Sequence, residues 1–223
     1  KLPNGKYMIN WPNCGNDHYV NLVELSDEER KMELEKAKQT SLRFVYYIQN
    51  ELGYKHLGIV EDEYPTEDNL PMIPYHRESR RYYGLVDFTL PYVKSPYDAP
   101  NALYRTGVAV GDYTIDHHHK KNLNAPEIDF IKIRVPSYNV PLGALIPKNH
   151  PALILAEKSI SVSNIVNGAS RLQPVVLGIG HAAGVLVSIA SKNSKKLDET
   201  SIRQVQWGLL NQGAYIMPFI DLN

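Results

Sequence analysis

Between Ser26 and Leu52 apolar side chains return at near-helical spacing, at Leu34, Ala37, Leu42, Val45 and Ile48 or Gln49, and the stretch predicts one long helix. Its start is specified twice. Ser26 can cap the first turn with Glu29 three residues on, and the run Asp27-Glu28-Glu29 suits the positive end of the helix dipole. Gly53 is a natural stop. A second helix is expected over Val175–Ala190. It is rich in small residues (Gly178, Gly180, Ala182, Ala183, Gly184, Ser188), which let a helix approach another backbone closely. A third, charged on one face, is expected over about Glu199–Gln212, ending at Gly213.

Strand patterns are shorter. Tyr7–Asn10 and His18–Leu22 lie between turn residues and read as short strands. Arg77–Thr89 reads as a strand or strand pair, and Thr106–Tyr113 as a short buried strand. Asp129–Pro136 alternates through Ile131, Ile133 and Val135, a strand with one buried face. Val140–Lys148 is a loop or short strand, and Ala152–Ala156 is the compact apolar run expected of a buried parallel strand. Prolines punctuate residues 54–74 and 91–102. The pattern describes an α+β chain. A mixed or antiparallel sheet domain with one long helix spans residues 1–150, and a short α/β segment with a terminal helix spans 151–223.

Composition narrows the function classes. Lys and Arg number 24 against 24 Asp and Glu, a zero balance that argues against nucleic acid or an anionic membrane surface as partner. No run reaches the roughly 18 consecutive apolar residues of a membrane span, because glycines, His181 and Ser188 break the Val175–Ala190 stretch. Cys14 is the only cysteine, which excludes a disulfide framework or a multi-cysteine zinc site within the chain and leaves the redox compartment unread. The opening Lys1-Leu2-Pro3-Asn4-Gly5 has neither an initiating Met nor the apolar core of a signal peptide, so we expect a chain that starts mid-protein. Tyrosines number 15 against 4 phenylalanines, a content that suits amphipathic surface packing or a sugar-facing surface.

Four segments, taken in order, resemble the C-terminal half of the FAD-dependent oxidoreductase family common in polysaccharide-degrading bacteria, some members of which carry a xanthan-lyase description. They are Gly58–Pro65 with Leu70–Arg81, Val108–His118, Tyr138–Lys148 running into Leu153–Ala156, and Gly168–Gly184. The resemblance implies a fold of the glutathione-reductase type. In that fold an N-terminal Rossmann unit holds the ADP half of FAD, a sheet domain is inserted, and the chain then returns to the FAD domain, here from about residue 151. It also implies FAD as cofactor, a small organic substrate that could be a sugar derivative, and a periplasmic or secreted setting as one alternative. No Gly-x-Gly-x-x-Gly turn occurs, and Gly178-x-Gly180-x-x-x-Gly184 has the wrong spacing for one. The expected partner is therefore a missing N-terminal FAD-binding segment, without which the chain binds FAD weakly or not at all.

The candidate site follows from the same segments. Arg171, Leu172, Gln173 and Val175 lead into a helix whose free N–H groups can face the flavin pyrimidine edge, with Arg171 as a fixed charge. Ser159 closes the expected cofactor contacts. It ends Ala156-Glu157-Lys158-Ser159, where similar proteins carry Ala-Gly-Arg or Ala-Gly-Asp and the glycine lets the backbone approach the ribityl-pyrophosphate. Glu157 therefore places a carboxylate near the expected phosphate. His117 or His118 is the candidate acid/base, since imidazole titrates near neutrality. Arg77, Glu78 and Arg80 form a charged group that can order a substrate pocket; strand alternation puts Arg77, Ser79 and Arg81 on one face and Glu78 and Arg80 on the other. Asp116, His117, His118 and His119 supply metal-ligand types, but neighbours on a strand point apart, and no metal is expected. Two other classes stay open: a carbohydrate- or protein-binding module using the tyrosines, Trp11 and Trp207, and a polysaccharide lyase.

Overall fold

The computed structural model describes residues 1–11, 15–96, 98, 105–118 and 133–218. They divide into two compact units, one of Lys1–His76 with His118–Asn124, the other of Arg77–His117 with Ala125–Asn223. Helices and a small two-stranded antiparallel sheet make the chain α+β.

The first unit is built on α1, Asp27–Asn50. The capping box forms as expected: Ser26 Oγ accepts from the Glu29 N–H, and the Glu29 carboxylate accepts from the Ser26 N–H at 2.8 Å. Of the expected apolar stripe, Ile48 is buried and Leu34, Ala37 and Val45 are half-buried; only Leu42 is exposed, and Phe44 takes the second buried place. Trp11 sits 6.0 Å from Phe44, ring to ring. Loops are tied down by ion pairs, Lys6 to Asp62 at 2.8 Å and to Glu63 at 2.6 Å, and Lys38 to Asp68. The strands expected at Tyr7–Asn10 and His18–Leu22 do not form. The turns beside them are closed locally, Gly5 N–H to the Leu2 carbonyl and Asn16 N–H to the Trp11 carbonyl, and no strand lies alongside either segment among the described residues.

The second unit holds the sheet. Strand β1 is Gly107–Gly111 and β2 is Tyr138–Pro141, paired antiparallel with Ala109 opposite Val140 and Gly111 opposite Tyr138. Both strands are buried almost throughout. Half of the expected strand at Asp129–Pro136 lies outside the described residues, and its described half, residues 133–136, is not strand; pairing starts only at Tyr138. Arg77–Thr89 is extended but forms no ladder. Its partners alternate between two segments: Leu85 N–H donates to the Ile146 carbonyl and Val86 N–H to Gly143, while Tyr82 and Phe88 N–H groups donate to the Ser159 and Ser161 carbonyls. Only single bridges result, at Gly84–Pro147 and Phe88–Val162. Ala152–Ala156 is likewise no strand. Leu155 is buried and its N–H reaches the Leu145 carbonyl, but no neighbouring strand lies beside the run among the described residues.

Four helices cover this sheet and the segments around it. The sequence pattern missed two of them, α2 (Leu90–Lys94) and α3 (Asn164–Ser170). Each is too short to show a period, and α3 contains Asn164, Asn167, Gly168 and Ser170, all poor helix formers. Its start is held by Ser163, whose hydroxyl accepts from the Val166 N–H. The expected long helix is α4, Gln173–Lys192, and the last is α5, Ile202–Asn211. Gly178 faces Ala109 of β1 so closely that an added Cβ would stand 3.1 Å from its methyl group, and α4 lies flat on the sheet for that reason. By length and composition α4 is apolar enough to cross a membrane, contrary to the residue-by-residue reading, because its valines, leucines, isoleucines and alanines outweigh the glycines, His181 and Ser188 in the mean hydropathy. Here its Val175, Ile179, Ala182 and Leu186 face is core.

Candidate functional site

The polar centre of the second unit is assembled around α3. His117 follows β1, and its side chain is only 2% exposed. Its Nε2 lies 3.2 Å from the Ile165 carbonyl, an acceptor, so that nitrogen carries the proton of the neutral ring. Its Nδ1 faces Glu78 Oε1 at 3.7 Å, an ion-pair distance rather than a hydrogen bond. The Glu78 side chain is 33% exposed and is fixed through its other oxygen, by Arg81 at 2.9 Å and by the Asn164 amide at 3.3 Å. The His117 imidazole is the largest influence holding the Glu78 carboxyl down at about 2, and Arg81 adds to it against the upward push of burial.

Asp116 and Arg171 hold the other side. Arg171 caps the C-terminal end of α3 and is buried, and its Nη2 donates to the Asp116 carbonyl at 3.0 Å and to the Asp116 carboxylate at 3.1 Å. The Asp116 N–H returns a bond to the Gly168 carbonyl at 3.4 Å. Two residues after Arg171, α4 begins. Its N-cap Leu172 offers no side-chain acceptor, and Pro174 removes one of the N–H groups of the first turn. Gln173 is exposed there and Val175 is buried.

The expected residues thus separate. His117, Glu78, Arg171 and the start of α4 come together, chained through Asp116 and α3. His118 goes elsewhere: its Nδ1 lies 2.5 Å from Asp17 Oδ2, in the first unit. Arg80 is exposed, and the Glu–Arg pair in this run is Glu78 with Arg81, not Arg80. The alternation argument set Arg80 beside Glu78 on one strand face, whereas no strand forms here and the pair is made three residues apart. Arg77 is half-buried. Ser159 bonds Ser79 hydroxyl to hydroxyl at 2.7 Å and accepts the Tyr82 N–H, which places the turn Glu157–Ser159 along the Arg77–Thr89 segment. Among the described residues no three His, Cys, Asp or Glu side chains converge as a metal site, and Cys14 and His119 lie outside them. Sequence reasoning gave no site role to Arg81 or Gly168, although both lie in the segments that carry the resemblance, and it missed Asn164, which no local motif marks.

A test of fit to a flavin rests on three features. Glu157 has φ +63°, the left-handed backbone that glycine adopts freely and a side chain resists, at the position where the resemblance led us to expect glycine. The first turn of α4 lacks a side-chain cap and so keeps donors for an anionic edge. Asn167 is 1% exposed and neither its amide oxygen nor its nitrogen has a partner among the described residues, which is the mark of a polar group built to meet something further. These features fit a flavin. The Glu157 carboxylate is the one discordant element; it pairs with Lys158 at 3.4 Å.

The family model described as FAD dependent oxidoreductase matches residues 1–209. No curated protein and no solved structure matches the chain.

Proposed function

The chain belongs to the FAD-dependent oxidoreductase family, and on that premise we propose that it is the C-terminal portion of an enzyme moving hydride between flavin and a small organic, sugar-derived substrate. In this reading residues 151–223 are the return segment of a glutathione-reductase-type FAD domain, and residues 1–150 form the substrate side. The dinucleotide-gripping turn, which no segment of this sequence supplies, comes from an N-terminal FAD-binding segment, and the chain by itself is inactive.

The observation that carries the reading is the linkage of an uncapped helix start to a buried imidazole–carboxylate pair, through Arg171 and Asp116. Bound flavin supplies the acceptor for the hydride that leaves the substrate carbon. The α4 start offers N–H donors to the polar edge of the ring, and the nearby Arg171 charge favours a negative edge. Oxidising an alcohol also releases the hydroxyl proton. His117 is too buried to meet substrate, but Glu78 is partly open, so the carboxylate meets the hydroxyl and the proton passes to His117 Nδ1. Nε2 stays committed to the Ile165 carbonyl and fixes the tautomer.

The test is spectroscopic. The full gene product, loaded with FAD, is mixed anaerobically with a panel of sugars and sugar alcohols. Bleaching of the visible flavin band by at least one of them is expected. A band that persists across the whole panel, while dithionite still bleaches it, contradicts the reading of the substrate class.

A further inference from the structure

We propose that α3 is a positioning device for His117, in which Gly168 provides the room for the ring, the Ile165 carbonyl selects its tautomer and the Arg171–Asp116 bonds lock the backbone that carries it. Gly168 is the sharpest of these constraints. A Cβ at this position would stand 2.9 Å from His117 Nε2, 3.0 Å from its Cδ2 and 2.9 Å from the Asp116 carbonyl oxygen. The ring and the strap that bears it therefore lie on a bare patch of helix that only glycine leaves open. The contacts follow helical geometry. Asn164, Gly168 and Arg171, spaced four and three apart, share one face of α3. From that face Asn164 holds Glu78, Gly168 admits His117, and Arg171 holds Asp116. One seven-residue helix thus sets both members of the pair against each other.

The electrostatic surroundings explain why such precision matters. Among the described residues the charged groups of this network include Glu78, which faces the ring, Arg81, which pairs with Glu78, and Arg171, which pairs with Asp116 on the strap that bears the ring. Nδ1 faces Glu78 directly across 3.7 Å, so a ring pushed aside or turned away weakens the hold of the protonated imidazole on the carboxylate. In this arrangement Gly168, Arg171 and Asp116 are positioning residues, since they act through His117. The inference rests on the reading of His117 and Glu78 as the proton-handling pair, but its test does not require flavin.

The test follows the Glu78 carboxyl by carbon-13 NMR across a pH titration of the whole chain. Gly168→Ala adds no charge, so any shift reports geometry alone. The wild-type carboxyl is expected to titrate near 2 and that of Gly168→Ala to move up toward 4.5, by about one pH unit or more. Arg171→Met is expected to move it in the same direction, with Arg171→Lys restoring most of the wild-type value. An unmoved Glu78 titration in a folded Gly168→Ala protein overturns the proposal, whatever the loss in thermal stability. A second measurement needs no variant. Nitrogen-15 spectra of the wild-type His117 ring should show the neutral form protonated at Nε2, and protonation at Nδ1 instead overturns the proposal. Shifted titrations together with unaltered flavin reduction would leave the positioning role standing and remove the acid/base reading.

Discussion

Replacing His117 with glutamine is expected to slow flavin reduction by the substrate roughly 10²–10⁴-fold, the usual worth of a positioned acid/base group. Glutamine keeps a donor for the Ile165 carbonyl and nearly fills the ring's volume, so packing around α3 is retained. What it cannot do is exchange a proton with Glu78. The measurement is single-turnover bleaching of the flavin band, anaerobically, for the best substrate from the panel. The same change at His118 is expected to cost less than about tenfold, since that ring is committed to Asp17 in the first unit. If the two effects came out reversed, the acid/base role would move to His118.

The second large effect is expected at Glu157, and its sign is a gain. A side chain in the left-handed region costs about 1–2 kcal/mol relative to the ordinary backbone, and glycine removes that cost at φ +63°. Glycine carries an unfolded-state entropy penalty of roughly 0.5–1 kcal/mol. The lost ion pair with Lys158 is partly exposed and contributes little. Glu157→Gly is therefore expected to stabilise the folded chain by up to about 1 kcal/mol in urea unfolding. In the FAD-loaded parent it should also tighten FAD binding about fivefold, the equivalent of ~1 kcal/mol, and riboflavin binding much less, because only FAD brings pyrophosphate toward the removed carboxylate. Equal gains for both flavins would mean that backbone relief, not charge, governs this turn. A destabilised Glu157→Gly protein would mean that the carboxylate has a structural partner that outweighs the strain.

These outcomes depend on features that the sequence displayed unevenly. The long helices were legible because their signals are local. A capping box, a stop glycine and a sustained apolar period mark α1, and a proline-led run of small apolar residues marks α4. Strands were less so. Thr106–Tyr113 condensed to β1 as expected, but Arg77–Thr89 has the composition of a strand without the partner of one, since its hydrogen bonds alternate between Gly143–Lys148 and Ser159–Val162. A ladder is a property of two segments, and composition reports only one. Ala152–Ala156 shows the same gap between propensity and pairing.

The site was legible as residues and not as an arrangement. His117 and Glu78 stand 39 positions apart, and nothing in either segment says that one faces the other. The meeting is made by α3, a helix too short and too polar to be read from its pattern. The histidine pair was ambiguous for the opposite reason, that adjacent residues diverge, and only the fold separates the partner of His117 from that of His118. Glu157 is the instructive case. The residue type conflicts with a flavin turn, while the backbone beneath it keeps a glycine's conformation.

The central claim is that the start of α4 meets the flavin. Amide hydrogen exchange of the full gene product with and without FAD tests it most directly. The account predicts slowed exchange on FAD binding at the N–H groups of Leu172, Gln173 and Val175, with little change toward the helix end at Ile189–Lys192. Protection confined to other segments, with the first turn of α4 exchanging at the same rate in both states, would contradict it.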